Sequence, residues 1–166
     1  MSKKSGLSIN TYAKMVVPSS GISAWKEVLA AGILDTADTN PNKPQAITNF
    51  EADRLFTLDH GRGTIILAEM ARTGTLTGDP VVRLFGRFDL SQHWSAIANK
   101  NGTLDVTLAR DDTNDTVDAD GVSHTLATDD TSWDTHGFNE FAFVVVTAAT
   151  STGGEAATAT LNAKVI

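Results

Sequence analysis

From about residue 52 onward the chain is a succession of short β-prone runs cut by Gly, Asp and Asn at intervals of roughly ten to fifteen residues. The runs are 54–58, 64–71, 81–88, 93–98, 104–109, 122–127, 140–149 and 156–166. No helix-length pattern separates them, so βαβ units and a parallel sheet are disfavoured. Many short strands with turn signals between them predict a mainly β chain, an antiparallel sandwich or barrel of eight or nine strands.

The punctuation supports this. His60-Gly61-Arg62-Gly63 and Thr77-Gly78-Asp79-Pro80 read as turns. Asn101-Gly102, between two strand-like runs, is a strong hairpin signal. Leu104, Val106 and Leu108 alternate with Asp105 and Thr107, as one buried and one wet face require. Gly86, set among Leu84, Phe85 and Phe88, suggests a bulge or a close approach to the backbone.

Ahead of these runs, residues 1–20 are polar and weakly patterned, with Met15, Val16 and Val17 forming a short strand or extended arm before Pro18. Ser23 as N-cap, Trp25, Val28 and Leu29 at i, i+3, i+4, and Gly32 as a stop predict one short helix over 23–31. Residues 35–49, rich in Asp, Asn, Thr and Pro, read as a loop. The expected organisation is an N-terminal arm over 1–20 and a single domain over 21–166, one domain being the usual content of 166 residues.

Composition narrows the function. There is no cysteine, which excludes a disulfide scaffold, a Cys-ligated zinc and a cysteine nucleophile. Formal net charge is −7 and the thirteen Lys and Arg are scattered, without the concentrated positive field that phosphate neutralisation needs, so nucleic acid is not expected as a partner. No run approaches the ~18–20 apolar residues of a membrane span, and Met1 to Leu7 reads as no secretory signal.

The candidate sites are loops. Residues 111–121 hold five aspartates, Asp111, Asp112, Asp115, Asp118 and Asp120, the oxygen-rich make-up that suits Ca²⁺. The spacing is not an EF-hand, since Val117 and Ser123 stand where that loop has Gly and Glu, and a solvated hairpin tip explains the same residues. Asp129, Asp130 and Asp134 form a second acidic cluster. His60, His93, His124 and His136 have no metal-site spacing. Gly121-Val122-Ser123-His124 lacks the second glycine of a nucleophile elbow, and Gly61-Arg62-Gly63-Thr64 lacks the ending of a P-loop. No catalytic residue and no resident cofactor is therefore assigned. Trp133, amid acidic residues, suits a sugar-stacking or interface role and equally a lid over the core; Trp94 reads as core.

A cysteine-free acidic chain with a polar arm, one short helix and a β-sandwich ending in Ala159-Thr160-Leu161-Asn162-Ala163-Lys164-Val165-Ile166 resembles the capsid decoration, or cement, proteins of tailed phages, over residues 52–166. The resemblance implies a jelly-roll-like sandwich without an active site. It also implies a homotrimer made in the host cytoplasm and placed on the virion exterior, where it binds the major capsid protein. The contact candidates are then Tyr12, Val16 and Val17 of the arm, Pro41 and Pro44 of the loop, and Trp133. The alternatives are a lectin-like, calcium-dependent carbohydrate-binding sandwich and a small β-fold hydrolase or epimerase.

Overall fold

The computed structural model describes residues 15–17, 25–30, 32–39, 41, 55–58, 65–88, 93–111, 115–125, 127–151 and 158–166. Strands are numbered in chain order. The first sheet runs β3 (Leu55–Leu58), β12 (Glu140–Thr147), β6 (Val81–Arg87), β7 (Ser95–Ile97), with β8 (Val106–Thr107) beside β6 further along the same edge. β1 (Met15–Val17) extends this sheet by pairing with β3, the one parallel pair among the described strands. The second sheet runs β2 (Lys26–Leu29), β14 (Thr158–Val165), β4 (Ile65–Thr73), β10 (Ser123–His124), β9 (Thr116–Val117), with β11 (Ser132–Asp134) also on β4. A ribbon of β5 (Leu76–Gly78) and β13 (Thr150–Ser151) joins the connections that cross between the sheets.

The chain winds these strands as a double ribbon. β14 returns beside β2 and β12 returns beside β3, so that late strands interleave with early ones in both sheets. That wrap-around of two antiparallel sheets is the jelly-roll arrangement.

Residues 26–29 are a strand, which corrects the helix expected over 23–31. Leu29 stands opposite Leu161 while Glu27 stands opposite Asn162, which leaves Val28 as the extra residue of a bulge. The bulge turns two successive residues, Val28 and Leu29, to the core. Their spacing from Trp25 imitates one helical face, but the apolar wall of β14 supplies the better partner.

Between the sheets, Phe56 stacks on Phe141 and Phe143, with ring centroids 5.7 and 5.8 Å apart, and Trp133 meets Phe143 edge-on at 5.4 Å. The outward side of the first sheet is covered as well: Leu55, Phe85, Ala142 and Val144 are buried there, with Trp94 packed against them. β12 is therefore enclosed on both faces, which accounts for its unbroken apolar run. Gly86 meets the close approach expected of it. A Cβ there would lie 2.6 Å from the Phe138 ring and 2.8 Å from Ile97 Cδ1.

The Asn101-Gly102 turn forms, with Gly102 at φ +81° and Asn99 bonded to Thr103 through both backbone and side chain. Its flanking strands do not make a hairpin with each other, however. β7 and β8 instead lie end to end along β6, because β6 is long enough to pair with both.

Candidate functional site

Jelly-roll winding sends several connections to one end of the molecule, and hydrogen bonds lock them together there. Asp38 closes a two-way bridge to Val145, donating from its amide at 2.8 Å and accepting through its carboxylate at 2.7 Å. The Ala149 amide donates to the Leu34 carbonyl, Arg83 donates to the Pro41 carbonyl, and the Leu108 amide donates to the Pro80 carbonyl. Arg110 pairs with Asp79 at 3.2 Å. Arg72, at the end of β4, reaches Asp115 at 3.2 Å in a pair almost closed to water. The described part of the 35–49 loop, the turn before β6 and the acidic tip thus share one end.

Beside this end the seam between the sheets opens into a cavity of about 420 Å³. Its origin is a broken strand. β10 and β11 lie on the same edge of β4, but between them the Thr125 hydroxyl takes the Met70 amide at 2.8 Å, and the chain then leaves the ladder. It returns through a 3-10 turn over Asp129–Thr131, capped by Thr128 in a capping box. This detour contributes Thr125, Thr128 and Asp130 to the lining, which Thr107, Asp111 and Asp115 help to complete. Below the cavity the seam is sealed, because Asn99 bridges to Trp133 and donates from its side chain to the Asp130 carbonyl.

No family model, curated protein or solved structure matches the chain. The function must therefore be argued from these residues alone.

Both acidic clusters of the sequence contribute to the cavity wall, through Asp111 and Asp115 from one and Asp130 from the other. Their carboxylates already have partners within the fold: Asp115 holds Arg72, and Asp130 accepts from the Asn101 side chain at 2.6 Å. Asp118 folds back on its own turn, accepting from the Asp120 and Val122 amides at 2.9 Å each. Those are the bonds of a capped turn, and Asp120 lies exposed beside them. Among the described residues no three His, Asp or Glu side chains are placed to hold a metal ion. Asp112 lies outside the described residues.

Of the two readings held equally for Trp133, the structure has the core one. Its side chain is fully buried and its indole N–H has no hydrogen-bond partner among the described residues, so it is available neither to a sugar nor to a partner surface. Pro41 is half-buried and offers its carbonyl to Arg83. Val16 and Val17 lie in β1 at the sheet edge, and Tyr12 and Pro44 lie outside the described residues.

One constellation is absent from the sequence reading. On the outer side of the second sheet His124 stands between two carboxylates. Its Nδ1 is 3.0 Å from Glu69 Oε1, its Nε2 is 3.4 Å from Asp118 Oδ2, and Asn162 donates to the same Glu69 oxygen at 3.2 Å. Partial burial opposes charge on the imidazole, but the two carboxylates outweigh it and raise its pKa above the ordinary 6.5. The Val122 amide first, then His124 and the Asp120 amide, hold Asp118 below the ordinary carboxylate value of 3.8, against a desolvation that would raise it. An ionisable residue inside each of the runs 64–71 and 122–127, Glu69 and His124, was the available signal.

Proposed function

We propose that this protein is a non-enzymatic structural protein that decorates the exterior of a viral capsid, gripping the major capsid protein as a homotrimer. The observation that carries the reading is the convergence of loops at one end of a jelly roll whose ionisable side chains serve the fold. Arg72–Asp115, Arg87–Glu140 and Glu69–His124–Asp118 brace the sandwich. Exposed Val117 and Asp120 protrude at the acidic tip, at the end where Asp38 and Pro41 are also tied down. A clamp requires such a rigid body with several adjacent protrusions. A carboxylate at each nitrogen favours the imidazolium form of His124, and a cation is a poor general base.

Jelly rolls serve capsid, lectin and cupin proteins alike, so the fold alone does not choose among these. The deciding experiment is co-sedimentation of the purified chain with capsids, followed by cross-linking mass spectrometry. Cross-links from the 35–49 loop and the acidic tip to the outer surface of capsomers are expected. A chain that stays unbound and monomeric overturns the reading.

The cavity favours one alternative, a lectin-like sandwich. Its volume falls in the range of about 300–1,000 Å³ typical of small-molecule sites, and threonines and carboxylates line it. The burial of Trp133 removes the aromatic platform that this reading would use. Glycan binding abolished by T128A at the cavity wall would establish it in place of the capsid reading.

A further inference from the structure

We infer that His124 is a proton-operated latch that fixes the acidic β9–β10 tip to the outer side of the second sheet. A neutral imidazole carries one N–H and one lone pair, so it can donate to only one of two carboxylates and turns a lone pair toward the other. Here both ring nitrogens face carboxylate oxygens, Nδ1 toward Glu69 and Nε2 toward Asp118. Only the imidazolium donates to both. The two acceptors belong to different bodies: Glu69 is fixed in the centre of β4, while Asp118 organises the turn of the tip through the Asp120 and Val122 amides.

Among the described residues, the remaining neighbours leave the proton as the controlling charge. From β14 the facing side chain is Asn162, an amide that donates to Glu69. From β9 the residue opposite His124 is Thr116, and from β4 it is Ala71. Beyond Asn162, Glu27 on β2 adds a further carboxylate, and Lys164 stacks over Trp25, 4.6 Å from its ring centroid. The imidazolium is thus the bridging cation of a row of carboxylates.

The sign follows from the geometry. A folded-state pKa above 6.5 means that the latch contributes fully below pH 6.5 and is lost as pH rises through the raised value. Since the Arg72–Asp115 pair holds the base of the same hairpin, release loosens the tip before the base.

The test is an NMR titration of the full chain from pH 5 to 9. It follows the His124 ring and the hydrogen exchange of the Val122 and Asp120 amides, corrected for the intrinsic pH dependence of exchange. In the wild type His124 is expected to titrate above 6.5, with a several-fold loss of protection at both amides across that transition. H124Q, which donates from a single amide nitrogen and does not titrate, should lose the transition while keeping its protection elsewhere. E69Q and D118N, each removing one acceptor charge, should lower the His124 value, and they answer the question if H124Q fails to fold. A His124 value at or below 6.5, or tip protection that falls identically with pH in H124Q, overturns the latch.

Discussion

Arg87 and Glu140 stand directly opposite each other on β6 and β12 and meet at 2.5 Å, their side chains 6% and 2% exposed. Trp94 lies over the guanidinium, 4.3 Å from its ring centroid, and shields the pair from water. Buried pairs of this kind fix a register more than they add stability, because desolvation offsets the attraction. Losing one partner leaves the other charge buried alone. E140L is therefore expected to destabilise by about 3–5 kcal/mol, and R87M/E140L to recover most of that. Urea denaturation of the two variants checks it.

Trp133 gives a second contrast. Truncation to Ala empties the space beside Phe143 and is expected to cost about 3–5 kcal/mol. W133F keeps most of the ring and removes an N–H that has no acceptor among the described residues. It should cost clearly less in the same denaturation series.

At Gly86 an added methyl has nowhere to go, since the Phe138 ring and Ile97 already occupy its place. G86A is expected to destabilise by about 1–3 kcal/mol through overpacking. Combining it with F138L should cost less than the sum of the two single changes, which thermal melts can resolve.

Asp38 tests the anchoring of the loop end. D38A leaves the Val145 amide without its 2.7 Å acceptor, at an expected cost of about 1–3 kcal/mol. D38N retains an acceptor oxygen and should fall between wild type and D38A. Hydrogen exchange at Val145 reads the local effect directly.

The strands after residue 52 were legible because each run carries its own period and its own terminators. Val81–Arg87, Glu140–Thr147 and Thr158–Val165 lie inside the runs 81–88, 140–149 and 156–166. The expected helix failed where a bulge imitates helical spacing: Val28 and Leu29 face one way because of what β14 presents, and β14 is 130 residues downstream. Trp133 was obscured by its neighbours. Ser132 and Asp134 make its surroundings read as loop, while in a strand of three residues alternation turns the middle one inward. The His124 cluster joins residues 55 apart in sequence, and only the register of β10 on β4 brings them together. The detour that opens the cavity depends on a threonine hydroxyl taking the place of a strand carbonyl as acceptor, a choice that local propensity does not encode.

The enclosure of β12 on both faces gives the molecule a front and a back. The broad flank open to water is the outer side of the second sheet, where Glu27, His124, Asn162 and Lys164 set a polar texture. The opposite flank is sealed over its own sheet, with Phe85, Ala142 and Val144 shut away. A large body approaching flat-on therefore meets two unlike flanks, a polar one over the second sheet and a largely covered one over the first, so any assembly built from this protein inherits a polarity.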